Sequence, residues 1–490
     1  SRCQREGRGF DPLCPLQFYL RTMTNQNDIV LNQLFSSAID NHKKKNFIDA
    51  KKLYEKILSI NPNFLKAKNN LGLVFLAEND FSNAKKIFQE VIKINPKTIS
   101  AQYSLGFICK KMGDYENSIK FFKKVIEINP NQLNANYNLG LIAKEIGDQE
   151  NAEKYFKEEI RLNPKLIHAH NNLGTVFANL EKFEEAISCF INALKFDPKF
   201  RIAKENLIKT LTSYDFESNN LIVTLHNDLK MKHKNAHIKK DLKKNNLTEN
   251  FRKFNQNIMN HKKYFEEINF TETQTFRRNS NNLNCERHHE LYNKKKVIPN
   301  FCFGCFKIQI EPNNVLDLVK LYFVFDNLKL PNNNWRKCML EFRNNINGLY
   351  KGFIYCSSLK EAENIANEIK PILNDFFSFK LNIKRGCSEF YDTFPNFKEL
   401  DVKSSNYMRY DSEWEFIEKN FDKNKKIKKK TLPTLNGLSL SDFLVINNWL
   451  NYAKLIKDQS YKKVSESFIY SNYVCDKLSN QIEFRKKQLS

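Results

Sequence analysis

The N-terminal part of the chain repeats one pattern of apolar and polar positions. Between residues 31 and 211 apolar residues recur at helical spacing, in blocks of fixed length. Leu-Gly pairs stand at Leu71-Gly72, Leu105-Gly106, Leu139-Gly140 and Leu173-Gly174. Small residues recur at Ala50, Ala84, Ser118, Ala152 and Ala186, and aromatics at Tyr54, Phe88, Phe122, Phe156 and Phe190. Prolines fall at Pro62, Pro96, Pro130, Pro164 and Pro198. Each series advances by 34 residues. The pattern predicts helix–turn–helix units: the glycine lets two helices approach, the small residue sits where they cross, the aromatic fills the layer between them, and the proline ends the second helix. No such unit buries its apolar face alone, so stacking must supply the core.

This pattern resembles the tetratricopeptide repeat (TPR) family over residues 30–211. Five repeats are followed by a closing helix over 200–211 (FRIAKENLIKTL). The resemblance implies an α-solenoid with a concave groove that holds a protein or peptide partner. The residues before the Leu-Gly pairs are Asn70, Ser104, Asn138 and Asn172. They resemble the asparagine ladder of superhelical TPRs, such as those of O-GlcNAc transferases, where amides grip a peptide backbone. Ser104 departs from that ladder. A side-chain amide carries donors and an acceptor, so it can bind main chain without reading sequence. The transferase resemblance stops at the repeats, since nothing later in the chain matches a catalytic domain of that kind.

The period ends at residue 211. Residues 212–284 are rich in Lys, Asn, Glu and His with scattered aromatics, and read as a polar helical or flexible linker. The basic cluster Lys232-His233-Lys234 with Lys239-Lys240 reads as a solvated charge run.

From residue 306 the alternation changes to period two. Phe306, Ile308 and Ile310 alternate with Lys307, Gln309 and Glu311, predicting a strand with one buried face. Residues 314–328 (NVLDLVKLYFVFDNL) read as an apolar helix. Cys338, Leu340 and Phe342 predict a second strand, Asn347-Gly348 a hairpin turn, and residues 350–356 a third strand. A helix follows from Leu359 with Ser358 and Glu361 as its capping box, and a fourth strand over 380–387. The order βαββαβ predicts a ferredoxin-like α+β domain over 285–390, with antiparallel strand order 4-1-3-2. A helical extension occupies 391–490. In it, residues 440–456 (Phe443, Trp449, Leu450, Ala453) form a helix suited to covering the open sheet face.

The candidate chemistry lies here. Cys285 and His288 form a C-x2-H pair, and Cys302 and Cys305 a C-x2-C pair. Two short chelating pairs suit a tetrahedral zinc site, and His289 is a neighbour that could replace His288. The topology also predicts that Cys302, Cys305, Cys338, Cys356 and Cys387 gather at one sheet edge. Three readings follow. One is a metal site on Cys302 and Cys305, completed by Cys285 and His288 or by Cys356 and Cys387; zinc suits either set, an iron–sulfur cluster only the all-thiolate one. The second is a redox dithiol at Cys302 and Cys305. The third is small buried apolar cysteines. Local pairing favours zinc on Cys285, His288, Cys302 and Cys305. Separately, Lys351-Gly352-Phe353-Ile354-Tyr355 partly resembles the third-strand motif of RNA-recognition motifs, which implies base stacking on Phe353 and Tyr355. Strand 1 offers Lys307 and Gln309 where an aromatic would be needed.

Composition adjusts this picture little. The net charge of +24 is spread evenly: residues 31–210, 211–300 and 301–490 carry +8, +7 and +8. Abundant Lys, Asn, Ile and Phe fit AT-rich codon usage better than a nucleic-acid footprint. No apolar run is long enough to span a membrane. Residues 1–22 are Arg-rich, and Gly9-Phe10-Asp11-Pro12 matches what a tRNA T-arm gives when read as codons. That stretch is expected to be an over-extended gene model, with Met23 the true start. The segment after Met23 lacks a secretory signal pattern, so a cytoplasmic location with reduced cysteines is expected. There is no Gly-rich phosphate loop, and no Ser/His/Asp or paired-carboxylate arrangement can be placed. The chain therefore reads as a TPR adaptor joined to a cysteine-bearing, zinc-stabilised α+β domain. A metal- or redox-dependent enzyme whose repeats recruit substrate is the alternative, and RNA binding through the sheet a further one.

Overall fold

A computed structural model describes residues 14–234, 246–343, 346–423 and 432–489. The expected N-terminal extension lies outside this description up to residue 13, as do Lys239-Lys240 and most of the basic run 423–430. The chain separates into two compact units. One comprises residues 1–145 and 154–164, the other 146–153 and 165–490.

The first unit is built of helical hairpins. Helices α1 (Cys14–Lys43), α2 (Phe47–Ile60), α3 (Leu65–Ala77), α4 (Phe81–Ile94), α5 (Ile99–Lys111), α6 (Tyr115–Ile128) and α7 (Ala135–Ile146) follow one another, and α8 spans Gln149–Leu162. The starts are capped where the sequence allows. Asp80 accepts from Asn83 N at 3.1 Å and Asp114 from Asn117 N at 3.2 Å. The periodic residues have the roles their spacing predicts. Tyr54, Phe88, Phe122 and Phe156 are fully buried. A Cβ on Gly72 would lie 2.8 Å from the Phe88 ring, and one on Gly140 2.7 Å from that of Phe156. Only glycine permits that helix approach.

The second unit holds α9 (Ile167–Asn179), α10 (Phe183–Phe196) and the closing helix α11 (Arg201–Thr210), followed by a five-stranded antiparallel sheet. Its strands are β1 (Gln274–Arg277), β2 (Phe306–Pro312), β3 (Arg336–Leu340), β4 (Tyr350–Cys356) and β5 (Phe379–Arg385), in the order β1-β3-β4-β2-β5. The four later strands take the order that the βαββαβ reading gives. The fifth comes from the expected linker. β1 pairs with β3, Thr275 standing opposite Cys338. Four polar-rich residues carry too little alternation to be read as a strand; a tertiary anchor holds them. Buried Arg277 meets Asp326 at 2.5 Å, Tyr322 Oη at 2.6 Å and Asp442 at 3.3 Å, tying β1 to helices 315–327 and 440–455.

The sheet has two unlike faces. On one, Gly352 leaves room for helix Val315–Asn327: a Cβ there would overlap Leu321 and lie 3.2 Å from Phe325. Tyr350 shares this face. Helix Leu440–Leu455 also packs here, not on the opposite face as expected: Tyr452 meets Tyr350 at 5.9 Å, and Trp449 Nε1 donates to Thr273 O at 2.9 Å. That helix is buried nearly all round, with Asn447, Asn448 and Asn451 hydrogen-bonded to backbone, and helix 315–327 and β1 pack against it without the open face. The other face carries Lys307 and Gln309 of β2, Lys337 of β3, Lys351, Phe353 and Tyr355 of β4, and Lys384 of β5. Among the described residues no helix is long and apolar enough to cross a membrane.

Candidate functional site

In the first unit, consecutive first helices meet through their inner positions. Asn138 of α7 donates to Tyr103 Oη of α5 at 2.9 Å and to Asn134 O at 2.8 Å, and its carbonyl accepts from Lys110 Nζ. Asn138 is buried, so its amide is spent inside the array. Ser104 is buried too. Asn70 is partly exposed and donates weakly to Tyr54 Oη at 3.4 Å; Asn172, in the second unit, is partly exposed. Of the four expected ladder positions, Ser104 and Asn138 are thus buried, and Asn70 and Asn172 partly exposed.

Cations and an aromatic ring stand on the same helices. Lys110 and Lys111 each place Nζ 5.6 Å from the Phe107 ring centroid. Burial pushes the pKa of Lys110 down, against Glu145, and does the same to Lys144.

The expected zinc ligands are divided by the helix Cys285–Lys295. His288 is buried, stacks near Phe301 at 5.2 Å and sits with Nδ1 3.5 Å from Cys302 Sγ. Burial drives His288 to about 4 and pushes Cys302 well up. Cys305 is buried and raised to about 11, and burial raises Cys285 as well. Cys285, His288, Cys302 and Cys305 therefore share a neighbourhood without converging. Among the described residues, the three donor atoms lying within 4.8 Å of one another belong to His289, Cys387 and Glu389. The cysteines are also less gathered than the topology suggested. β3 starts with Arg336 opposite Ile354, so Cys338 pairs with Gly352 inside the sheet, away from the row that ends at Cys356.

Cys387 departs from the other thiols. β5 ends at Arg385, Gly386 turns the chain at φ +57°, and a short turn Ser388–Phe390 follows. Gly386 N donates to Cys305 O at 2.6 Å, which clamps that turn onto the start of β2. Cys387 is thereby lifted onto the polar face of the sheet, partly exposed. Lys307 Nζ donates to its sulfur at 2.9 Å, and His289 hydrogen-bonds it as well. Burial alone would raise this thiol, but Lys307 and His289 reverse the effect and bring it down to about 7. The hydrogen bond to Cys387 in turn raises His289. Glu389 stands beside the imidazole and is held by Arg343. Nearby, burial lowers Lys337 to about 8.

The aromatics proposed for base stacking lie on this face but are not presented as platforms. Phe353 is buried under Lys337, whose Nζ is 5.5 Å from its centroid, and Lys351 is buried on Glu341 at 2.8 Å. Tyr355 packs edge-on against Trp335. Sequence reasoning named Cys387, His289 and Lys307 separately but missed Glu389 and the grouping. The one local signal was a glycine between a strand end and a cysteine.

Family comparison agrees with the repeat pattern. Tetratricopeptide repeat profiles match residues 65–98, 99–132, 121–154 and 168–200. Among solved structures, the chain is similar to a crystal structure of MamA (22% identity, TM-score 0.32, covering 33% of this chain and 95% of that one). It is similar also to YrrB, described as a TPR protein with an unusual peptide-binding site (20% identity, TM-score 0.33, 38% of this chain and 95% of that one). Pseudomonas aeruginosa pilF is a third (16% identity, TM-score 0.35, 38% and 85%). No curated protein matches the sequence.

Proposed function

Residues 65–200 are tetratricopeptide repeats, and on that premise we propose that the array is a protein-interaction module that holds an extended acidic segment of a partner. Stacked hairpins offer their first helices to a ligand. The observation that carries the reading is the cluster of Lys110 and Lys111 over Phe107, with Lys110 reaching Asn138 of the next first helix. Burial destabilises the ammonium groups of Lys110 and Lys144, and the hydrogen-bond partner of Lys110 is a neutral amide. Glu145 already attracts both groups, and an incoming carboxylate would add to that attraction and stabilise the desolvated charges further. Phe107 and Tyr103 add apolar contact beside it. Within this unit Asn70 remains partly exposed for main-chain capture by its amide. In this reading the β2–β5 sheet, with helices 315–327 and 359–374, is ferredoxin-like.

The test is binding of a fluorescein-labelled glutamate-rich dodecapeptide to the full chain, followed by anisotropy, against a glutamine-rich control. Tighter binding of the acidic peptide, weakened by salt and by Lys110→Ala with Lys144→Ala, supports the reading. Equal, salt-independent binding of both peptides would refute it.

A further inference from the structure

The second unit carries chemistry that the repeats do not account for. We infer that the polar face of the sheet holds a nucleophilic thiol site that accepts acyl donors, esters or amides of carboxylic acids, on Cys387 Sγ, with Lys307 holding the sulfur as a thiolate and His289 transferring the proton. This inference does not depend on the groove reading.

Lys307 supplies the first argument. It is 9% exposed and sits mid-strand, with Tyr355 and Lys384 as its cross-strand neighbours. Neither is an anion. Its Nζ reaches one hydrogen-bond acceptor, Cys387 Sγ, at 2.9 Å, with the Tyr355 ring 5.1 Å away. Glu389 attracts this ammonium from a distance, but among the described residues no carboxylate hydrogen-bonds Nζ; a buried ammonium favours a negative charge in direct contact, and a neutral thiol is a poor acceptor. The geometry is consistent with ammonium and thiolate together. The buried cysteines of the sheet and its edge, Cys302, Cys305, Cys338 and Cys356, have no hydrogen-bonded ammonium among the described residues, and burial raises each of them. Among the described cysteines, Cys387 alone combines partial exposure, a buried cation and an imidazole.

His289 selects the chemistry. Thiol–disulfide exchange needs no proton carrier beside the nucleophile, whereas expulsion of an alkoxide or amide does. His289 hydrogen-bonds the sulfur, and the carboxylate of Glu389 lies within 4.8 Å of both groups, where it favours imidazolium. A metal ion is less well served by the same donors, because the ammonium of Lys307 at 2.9 Å from the sulfur would repel a dication bound there. In the first step Sγ forms a bond to the carbonyl carbon, and the bond from that carbon to the leaving oxygen or nitrogen breaks. The leaving group takes the proton of the His289 imidazolium. In the second, neutral His289 removes a proton from water, which attacks the thioester. The carboxylic acid departs, and thiolate and imidazolium are restored. No oxidant or reductant enters.

The experiment treats the full chain with p-nitrophenyl acetate and follows nitrophenolate release together with peptide mass spectrometry. The expected result is a burst of one equivalent, with the acetyl group on Cys387. Cys387→Ser should abolish the burst while keeping the circular dichroism spectrum and melting transition. His289→Gln should leave the acetyl adduct in place and slow its loss at least tenfold. Cys475→Ser, at a partly exposed thiol bonded only to Tyr470, should change nothing. Acetylation spread over several cysteines and lysines, or a burst that survives Cys387→Ser, would overturn the proposal. So would a purified protein carrying one tightly held zinc whose Cys387 reacts only after chelation.

Discussion

Lys307 and Cys387 lie 80 residues apart in sequence and 2.9 Å apart in space, on one face of the sheet. The pair couples the middle of β2 to the turn beyond β5. Its consequence is a pH dependence with a definite sign. Cys387 is held at about 7 in the fold against an ordinary value of ~8.5. The stability it contributes is complete above the unfolded value and is lost as pH falls through about 7. Lys307→Met removes the cation, so the alkylation midpoint of Cys387 should rise by at least one pH unit. The variant should also lose the gain in stability between pH 7 and 9. Iodoacetamide labelling and urea titrations across that range measure both.

The turn that carries Cys387 is equally specific. Gly386 has φ +57°, and an added Cβ would overlap the Phe397 ring, with Cζ at 2.8 Å. Gly386→Ala should cost roughly 1–3 kcal/mol from strain and overpacking. It should also slow labelling of Cys387 several-fold, because the sulfur moves off Lys307. An alanine variant of wild-type stability and labelling rate would show that the turn does not set the thiol's position.

These residues show where sequence reading stops. The repeats were legible because four independent features shared a period, and each feature has one physical role, as in Gly72 against Phe88. The sheet was legible in β2 through β5 because each strand alternates over five or more residues. β1 was not, since its place depends on Arg277 reaching Asp326 and Asp442, both far along the chain. The candidate thiol site failed to appear for a related reason. Local spacing joined Cys285 with His288 and Cys302 with Cys305, but one helical step turns His289, not His288, towards Cys387. Nothing in a linear sequence reveals that the buried ammonium of Lys307 bonds the sulfur of Cys387. Asn138 shows what a repeat position alone does not reveal: its amide bonds Tyr103 and Lys110.

The polar face also holds a structural ion pair that can be separated from the thiol. Lys351 and Glu341 are each 1% exposed and lie 2.8 Å apart, with Arg343 on the same carboxylate at 2.7 Å. Burial pushes Glu341 upward, yet hydrogen bonds from Arg343 and Lys351 hold it at about 2. Glu341→Gln strands a buried ammonium and should cost about 3–5 kcal/mol. Glu341→Leu combined with Lys351→Met should cost distinctly less, because no charge is left unpaired. Chemical denaturation of the three proteins decides it. A single variant no worse than the double would mean that water already solvates Lys351.

His226 gives a prediction for the acid limb. It is fully buried, its Nδ1 accepts from Leu440 N at 3.4 Å, and its Nε2 has no partner. Burial, with Lys230 adding to it, lowers the imidazole to about 4 from 6.5. The fold therefore binds fewer protons than the unfolded chain between those values. Stability is complete above 6.5 and declines as pH falls towards 4. Between pH 7 and pH 5 this one residue should lower stability by about 2 kcal/mol. His226→Asn keeps an acceptor for Leu440 N but cannot take up a proton. The variant should lose less stability on acidification than the parent, by about that amount. His288, also held at about 4, keeps part of the acid response in place in this variant. Urea denaturation at pH 7 and pH 5 tests this directly. An unchanged difference between the two pH values in His226→Asn would show that His226 is protonated in the fold and that the buried Nε2 has found a partner.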